Sequence, residues 1–409
     1  MPENAISLIG IATLFCIAVL FSTNRRAISL RIVGSAFALQ VALAVFVLRF
    51  PWGKSLIEAM SNGVQAIVEY SGAGINMVFG SLADLNGGFS FAINVLPIVV
   101  FFSALMAVLY HLGIMQIVVR VIGGGMQALI GTRRVESLNA AANVFVGQTE
   151  SPLVVKPFLK DLTDAQLFAV MVSGVASVAG TVLAAYAQMG IRLDYLLAAS
   201  FMAAPGGLLM AKIIMPDNPE DHANEAKESA VVIGKSEHEN VILAAASGAA
   251  DGVRLAVNIG AMLIAFVSLI ALFNGIVGGL GELVGVESLT LERMLGILFA
   301  PLMYLLSVPW SEAQTVGALF GEKLVLNEFV AFLHLGPIVD TLSPRAAAIA
   351  TISLCGFANL SSIAMLLGGL GSLIPEKRQL IGRFGLRAVA AGSLSNLMSA
   401  TLAGMLIPF

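Results

Sequence analysis

The chain has 409 residues, 58% hydrophobic and 11% charged, with a mean hydropathy of +0.92. Soluble domains carry roughly 25% charged residues, so a soluble enzyme with a solvated surface and a disordered regulator are excluded. The net charge of −3 offers phosphates no basic field, which excludes a nucleic-acid binder, and an integral membrane protein remains.

The first apolar stretch, 6–22, follows Glu3 and precedes Arg25, Arg26 and Arg31. That polarity is wrong for a cleavable signal peptide and predicts a first span running from outside to inside. Further stretches near 20 residues, the length that crosses the hydrocarbon core, lie at 32–49, 92–112, 165–187, 194–214, 255–275, 346–370 and 388–408. Eight spans result. Threaded alternately, they place 15 of the 22 Lys and Arg inside, as the positive-inside rule asks, and both termini outside. Residues 54–80, weakly apolar and Gly-rich after Trp52, read as an interfacial helix. The acidic loop 216–240 is expected in the cytoplasm and is too short for a soluble domain. Residues 241–280 exceed one upright span, so part of them, including Asp251 and Arg254, is expected to lie tilted or along the interface.

Enzyme chemistry has no support. His111, His222, His238 and His334 are scattered, Cys16 and Cys355 sit in apolar stretches, and neither G-x-S-x-G nor a P-loop occurs.

Two segments do not suit a membrane span. Between Arg134 and Lys156 the polar run Gly147-Gln148-Thr149-Glu150-Ser151-Pro152 falls at mid-segment. A single helix would carry Glu150 near the bilayer centre, at a cost of about 3 kcal/mol, and Pro152 would break its ladder. Two half-helices meeting in a re-entrant hairpin fit better, and such backbone is tolerated only inside protein or against a wet cavity. A second stretch, Ser311 to Pro337, carries Asn327-Glu328 in the same way. Each is followed by a span with a small-residue break, Gly174-Val175-Ala176-Ser177 and Gly356-Phe357-Ala358-Asn359. Glu136 and Glu312 precede the two tips at similar distances. This is an internal repeat of hairpin, broken helix and helix. Starting from opposite faces, the copies are expected to be inverted, an arrangement that points to a secondary transporter's midplane site.

The run Gly321-x-Lys323-x-x-x-Asn327-Glu328-Phe329-Val330-Ala331-Phe332 resembles the signature of the concentrative nucleoside transporters, and Gly147-Gln148-Thr149-Glu150 resembles that family's first-hairpin motif. The likeness covers the whole chain, in the short bacterial form of eight spans. It implies an all-α membrane protein in which eight transmembrane helices and two re-entrant helical hairpins, in inverted repeats, form a scaffold and a transport domain. The expected division is N-terminal scaffold spans and interfacial helix at 1–112, first repeat at 113–214, cytoplasmic loop and long scaffold helix at 215–290, and second repeat at 291–409. It also implies a multi-pass homotrimer in the bilayer of a bacterial inner membrane, both termini periplasmic. Its activity would be sodium-coupled uptake of nucleosides of the uridine, cytidine and adenosine class, by an elevator-like alternating access. Sodium is the only added component, as coupling ion.

Residue by residue, the resemblance puts Gln148, Thr149 and Glu150 at the nucleobase, with Val182 nearby. Glu328, Asn359 and Ser362 would face the ribose, with Phe357 close to it. Sodium would be held by the side chains of Asn143 and Ser177 and by backbone carbonyls of Asn143, Val146 and Val178. The chemistry agrees: amide, hydroxyl and carboxylate groups can replace the water bonds of a neutral polar solute, and each unmet buried group costs about 1–3 kcal/mol. Lys323 reads as a hairpin-orienting residue near the aqueous face. Other readings stand beside these. The carboxylates could form structural ion pairs, Asn143, Ser177, Asn359 and Ser362 could be interhelical hydrogen-bonders, and Phe357 could be core packing. At the level of function the alternatives are a proton-coupled member and a non-transporting membrane sensor or assembly protein on the same repeat.

Overall fold

The computed structural model describes residues 3–83, 90–218, 238–283, 285 and 289–407, and every regular element among them is helical. Most of the acidic loop expected at 216–240 lies outside the described residues. The α-helices run in the order α1 (Glu3–Leu20), α2 (Leu30–Leu48), α3 (Pro51–Phe79), α4 (Phe91–Asn94), α5 (Leu96–His111), α6 (Ile114–Ile130), α7 (Arg134–Asn143), α8 (Asp164–Ala176) and α9 (Gly180–Gln188). They continue with α10 (Leu193–Ile214), α11 (Val241–Leu283), α12 (Leu291–Leu305), α13 (Trp310–Val325), α14 (Glu328–Leu335), α15 (Pro344–Leu354), α16 (Ser361–Gly368), α17 (Leu370–Leu373) and α18 (Arg378–Leu406).

All eight apolar stretches fall on helices. Among the described residues, six segments are long and apolar enough to cross a membrane: α2, 91–111, 164–188, α10, α11 and 375–406. The other two stretches fail that test on length. α1 has 16 residues in its apolar part, and the stretch at 346–370 is split between α15 and α16. A further pair, α12 and α13, passes as one span but is bent by 119°. Ser307 makes that bend in a left-handed conformation, φ 73°. The Ser307 N–H donates to the Tyr304 carbonyl and the Val308 N–H to the Met303 carbonyl, which is a Schellman end to α12. Neither α6 nor α12 was among the expected elements. α6 carries Arg120 and α12 carries Glu292 and Arg293, so neither reads as a continuous apolar run.

Burial divides the helices. α8, α9, α10 and α18 are buried along most of their length, whereas α2, α5 and α11 leave most of their surface open. α10 and α18 pack on each other and on α8, and α15 packs on α18. α5 lies along the 43-residue α11, a rod of roughly 65 Å. Asp251 and Arg254 pair on its exposed face at 3.4 Å. The helix expected after Trp52 is α3, which has Pro51 at its first position and Gly80 just beyond its last.

Candidate functional site

Both hairpins form, with different arms. The first descends through α7, turns at 144–150 and returns as an 11-residue 3-10 helix, Ser151–Asp161. Pro152 and Pro157 lack the N–H that an α-helical ladder needs, so the return arm runs with the tighter winding. The second pairs α13 with α14, and the Asn327 side chain caps α14 by accepting the Val330 N–H at 3.0 Å. Glu136 and Glu312 each sit on the third residue of the hairpin's first helix. Glu136 accepts the Arg133 N–H at 3.0 Å, and Glu312 accepts the Ser343 N–H and hydroxyl at 2.8 and 2.6 Å.

The two small-residue breaks meet. The Phe357 N–H donates to the Ser177 carbonyl at 3.1 Å. Each break is also tied to a hairpin: the Gly180 N–H donates to the Phe145 carbonyl at 3.0 Å, and the Leu360 N–H to the Leu324 carbonyl at 3.1 Å. Gly174 is required by close approach, because a Cβ there would press on Gln148 Cβ at 2.9 Å.

On the first-repeat side, the Ser177 hydroxyl donates toward the carbonyls of Asn143, at 2.9 Å, and Val178, at 3.3 Å. The Asn143 amide donates to the Asn139 carbonyl at 3.0 Å, while its Oδ1 is buried with no hydrogen-bond partner among the described residues. Val146 is buried on the hairpin turn, its N–H donating to the Ala142 carbonyl at 3.0 Å. Three of the five expected oxygen ligands are thus joined through the Ser177 hydroxyl, and a fourth is an unpartnered buried oxygen. Hard oxygen donors at the C-terminal ends of α7 and α8, where the helix dipoles are negative, form a set suited to a small cation.

On the second-repeat side, the Glu328 carboxylate accepts from the Tyr186 hydroxyl at 3.0 Å and from the Asn359 amide at 3.1 Å. Asn359 Oδ1 accepts from the Ser361 hydroxyl at 2.7 Å and the Ser362 N–H at 2.9 Å. The Ser362 hydroxyl donates to the Phe357 carbonyl. Glu328, Asn359 and Ser362 are therefore one buried cluster, with half-buried Phe357 joined to it through its backbone. Val182 is buried on α9, one turn before Tyr186.

The first hairpin's tip meets α16 and the residue that follows it. Gln148 is buried, and its amide lies 3.5 Å from the Met365 sulfur on α16, with its Oε1 lacking a partner among the described residues. Thr149 and Glu150 are exposed. Thr149 lies against Gly369, and Glu150 is within electrostatic reach of Tyr110 on α5 and Asp251 on α11. The described side chains form no direct bond between this tip and the Glu328 cluster.

Three features escaped the sequence reading. Tyr186, which holds Glu328 and packs on the rings of Phe329 and Phe332 at 4.8 and 4.4 Å, looks in sequence like any aromatic on an apolar helix. Asn396 hydrogen-bonds both breaks, and its one signal is an amide in an otherwise small and apolar run. Lys323 was expected near the aqueous face; it is wholly buried, because its ammonium is taken up by the Ser353 carbonyl at 2.8 Å and Asn396 Oδ1 at 2.7 Å.

A buried polar centre inside apolar helices of spanning length defines a multi-pass helical membrane protein. Comparison with known proteins specifies it further. Family models match in three parts: "Na+ dependent nucleoside transporter N-terminus" at 9–82, "Nucleoside recognition" at 92–192 and "Na+ dependent nucleoside transporter C-terminus" at 195–404. The chain is 50% identical to the nucleoside permease NupC of Helicobacter pylori, over 99% of this chain and 98% of that one. It is 38% identical to sodium/nucleoside cotransporter 1 of Sus scrofa, over 99% of this chain and 64% of that one. The structure of CNTnw in an inward-facing substrate-bound state superposes with a TM-score of 0.93 at 48% identity, over 99% and 98% of the two chains. The chain belongs to the family of Na+-dependent, concentrative nucleoside transporters. Its relatives are transporters and permeases rather than enzymes.

Proposed function

We propose that this protein is a sodium-coupled nucleoside symporter. The observation that carries the reading is the unpartnered, buried Asn143 Oδ1, grouped with the Asn143 and Val178 carbonyls and the Ser177 hydroxyl. That group lies one backbone hydrogen bond, Phe357 to Ser177, from the Glu328–Asn359–Ser362 cluster. Sodium would be held by Asn143, Ser177 and the carbonyls of Asn143, Val146 and Val178. It would supply positive charge that draws the first hairpin against the break at 177–179.

The nucleoside would lie between the two hairpin tips. Glu328, Asn359 and Ser362 accept and donate to ribose hydroxyls, with Phe357 alongside. Gln148, Thr149 and Glu150 meet the nucleobase, with Val182 lining it. Sodium and nucleoside then order adjacent backbone, so each tightens the other by the same factor. The contrast between the buried α8, α9, α10 and α18 and the open α2, α5 and α11 frame supports a transport domain that moves, elevator-like, against a scaffold. The open apolar faces of α3 and α11 suit lipid and a homotrimer contact. The reading takes the membrane to be a bacterial inner membrane and, with the basic residues on its inner side, would put both termini in the periplasm; the re-entrant hairpins would belong to inverted repeats at 113–214 and 291–409.

Calorimetric titration of the purified protein with uridine, in sodium chloride and in choline chloride, tests the reading. Tighter binding in sodium supports it, and equal affinity in the two salts removes the coupling.

A further inference from the structure

Asn396 of α18 has no part in the ligand contacts assigned above, yet three hydrogen bonds converge on its buried carboxamide. Its Nδ2 donates to the Ala176 carbonyl at 2.6 Å and to the Cys355 carbonyl at 3.1 Å. These are the last residue of α8 and the first beyond α15, the points where both broken helices stop. Its Oδ1 accepts from the Lys323 ammonium at 2.7 Å, which also donates to the Ser353 carbonyl at 2.8 Å. A Cβ on Gly356 would run into this carboxamide, so the close approach is built into the second break.

The positions just downstream are the ones that matter. After Ala176 come Ser177 and Val178, the cation side; after Cys355 come Phe357 and Asn359, the nucleoside side. One side chain therefore fixes the orientation of the peptides that lead into both half-sites. The Lys323 ammonium fixes that side chain in turn, from the C-terminal end of α15, where the helix dipole favours a cation.

We propose that Asn396, held by Lys323, is a positioning residue that couples the cation half-site to the nucleoside half-site. The proposal rests on the symport reading above. A ligand can influence a second site only through an element whose arrangement both ligands bias, and the carboxamide spanning the two breaks is such an element. Ordering of the 176–178 peptides by the cation is passed through Nδ2 to 355–357. Without it, the Phe357–Ser177 hydrogen bond is the remaining direct link between the breaks among the described residues.

The test uses full-length protein in lipid nanodiscs, with the uridine Kd measured in sodium chloride and in choline chloride. The ratio of the two is the coupling factor. Asn396→Asp keeps size and the acceptor for Lys323 but has no donor for either carbonyl; Asn396→Ala removes every contact. In both variants the ratio is expected to fall from the roughly 5- to 150-fold class typical of coupled sites to within about twofold of one, with the choline Kd changed by less than about threefold. Ser393→Ala, which deletes a bond within α18 to the Val389 carbonyl, keeps the parent ratio. If only Asn396→Asp folds, that variant decides. A ratio preserved in the variant, whatever happens to thermal stability or to affinity in both salts, marks Asn396 as structural and overturns the proposal. A ratio of one in the parent overturns the symport reading itself, so the two failures are told apart.

Discussion

Tyr186 on α9 donates its hydroxyl to Glu328 on α14 at 3.0 Å, so a side chain following the first break holds the carboxylate of the second hairpin. The bond is buried, and the tyrosine ring packs on Phe329 and Phe332, which fixes the hydroxyl's direction. Glu328 thereby reaches solute already oriented. Its two oxygens are committed to Tyr186 and Asn359, and their remaining lone pairs stay available to hydroxyl donors.

Tyr186→Phe keeps the ring and deletes that donor. The Glu328 oxygen is left short of one bond in a buried site, a loss of about 1–3 kcal/mol. The variant is expected to melt at lower temperature than the parent in detergent. An unchanged melting temperature contradicts this.

Glu328→Gln separates sugar from base. A ribose hydroxyl donating to the carboxylate loses a charge-assisted bond of about 1.5–3 kcal/mol, or roughly 10- to 150-fold in affinity. Dideoxyuridine lacks those hydroxyls and is expected to lose far less. Equal losses for uridine and dideoxyuridine, measured by competition binding, would remove Glu328 from the sugar.

Asn143→Ala deletes the unpartnered oxygen of the cation group and one bond to Asn139. The sodium concentration that half-saturates uridine binding is expected to rise about tenfold or more, by the class of one lost charge-assisted contact. A titration curve that overlays the parent's would move the ion site elsewhere.

The Lys212–Glu136 pair, at 2.6 Å with side chains 3% and 0% exposed, ties α10 to the start of the first hairpin. Lys212→Met leaves the buried glutamate without its cation, a destabilisation of about 3–5 kcal/mol. Adding Glu136→Gln is expected to recover part of it. Denaturation of both variants checks this, and a single variant as stable as the parent speaks against it.

Gly356→Ala places a methyl group against the Asn396 amide and the Ala176 carbonyl, an overpacking of about 1–3 kcal/mol. Gly72→Ala, on α3 where a Cβ meets open space, is expected to be neutral or slightly stabilising by about 0.5–1 kcal/mol. Thermal melts of the pair measure the contrast, and a reversed order refutes it.

The hairpins and breaks were legible because each violates the rule of its surroundings. Glu150 before Pro152, and Asn327-Glu328 between apolar arms, have no place in a plain span, and the paired glycines mark where packing needs room. Glu328, Asn359 and Ser362 meet as one cluster, and Asn143 meets Ser177. The bonds between the halves were not legible, since they depend on which faces the fold brings together. The bonds from Tyr186 to Glu328 and from Asn396 to Ala176 each span more than 140 residues of sequence, and no local pattern announces such partners. Lys323 was misplaced for a related reason: a lysine is taken to seek water unless three-dimensional acceptors, here Ser353 and Asn396, are known.

Radiolabelled uridine uptake into proteoliposomes, with an inward sodium gradient and with choline replacing sodium, tests the central claim most directly. The account predicts accumulation of uridine above its external concentration in sodium and only equilibration in choline. Equal uptake in the two conditions, or binding without accumulation, would contradict a sodium-coupled symporter.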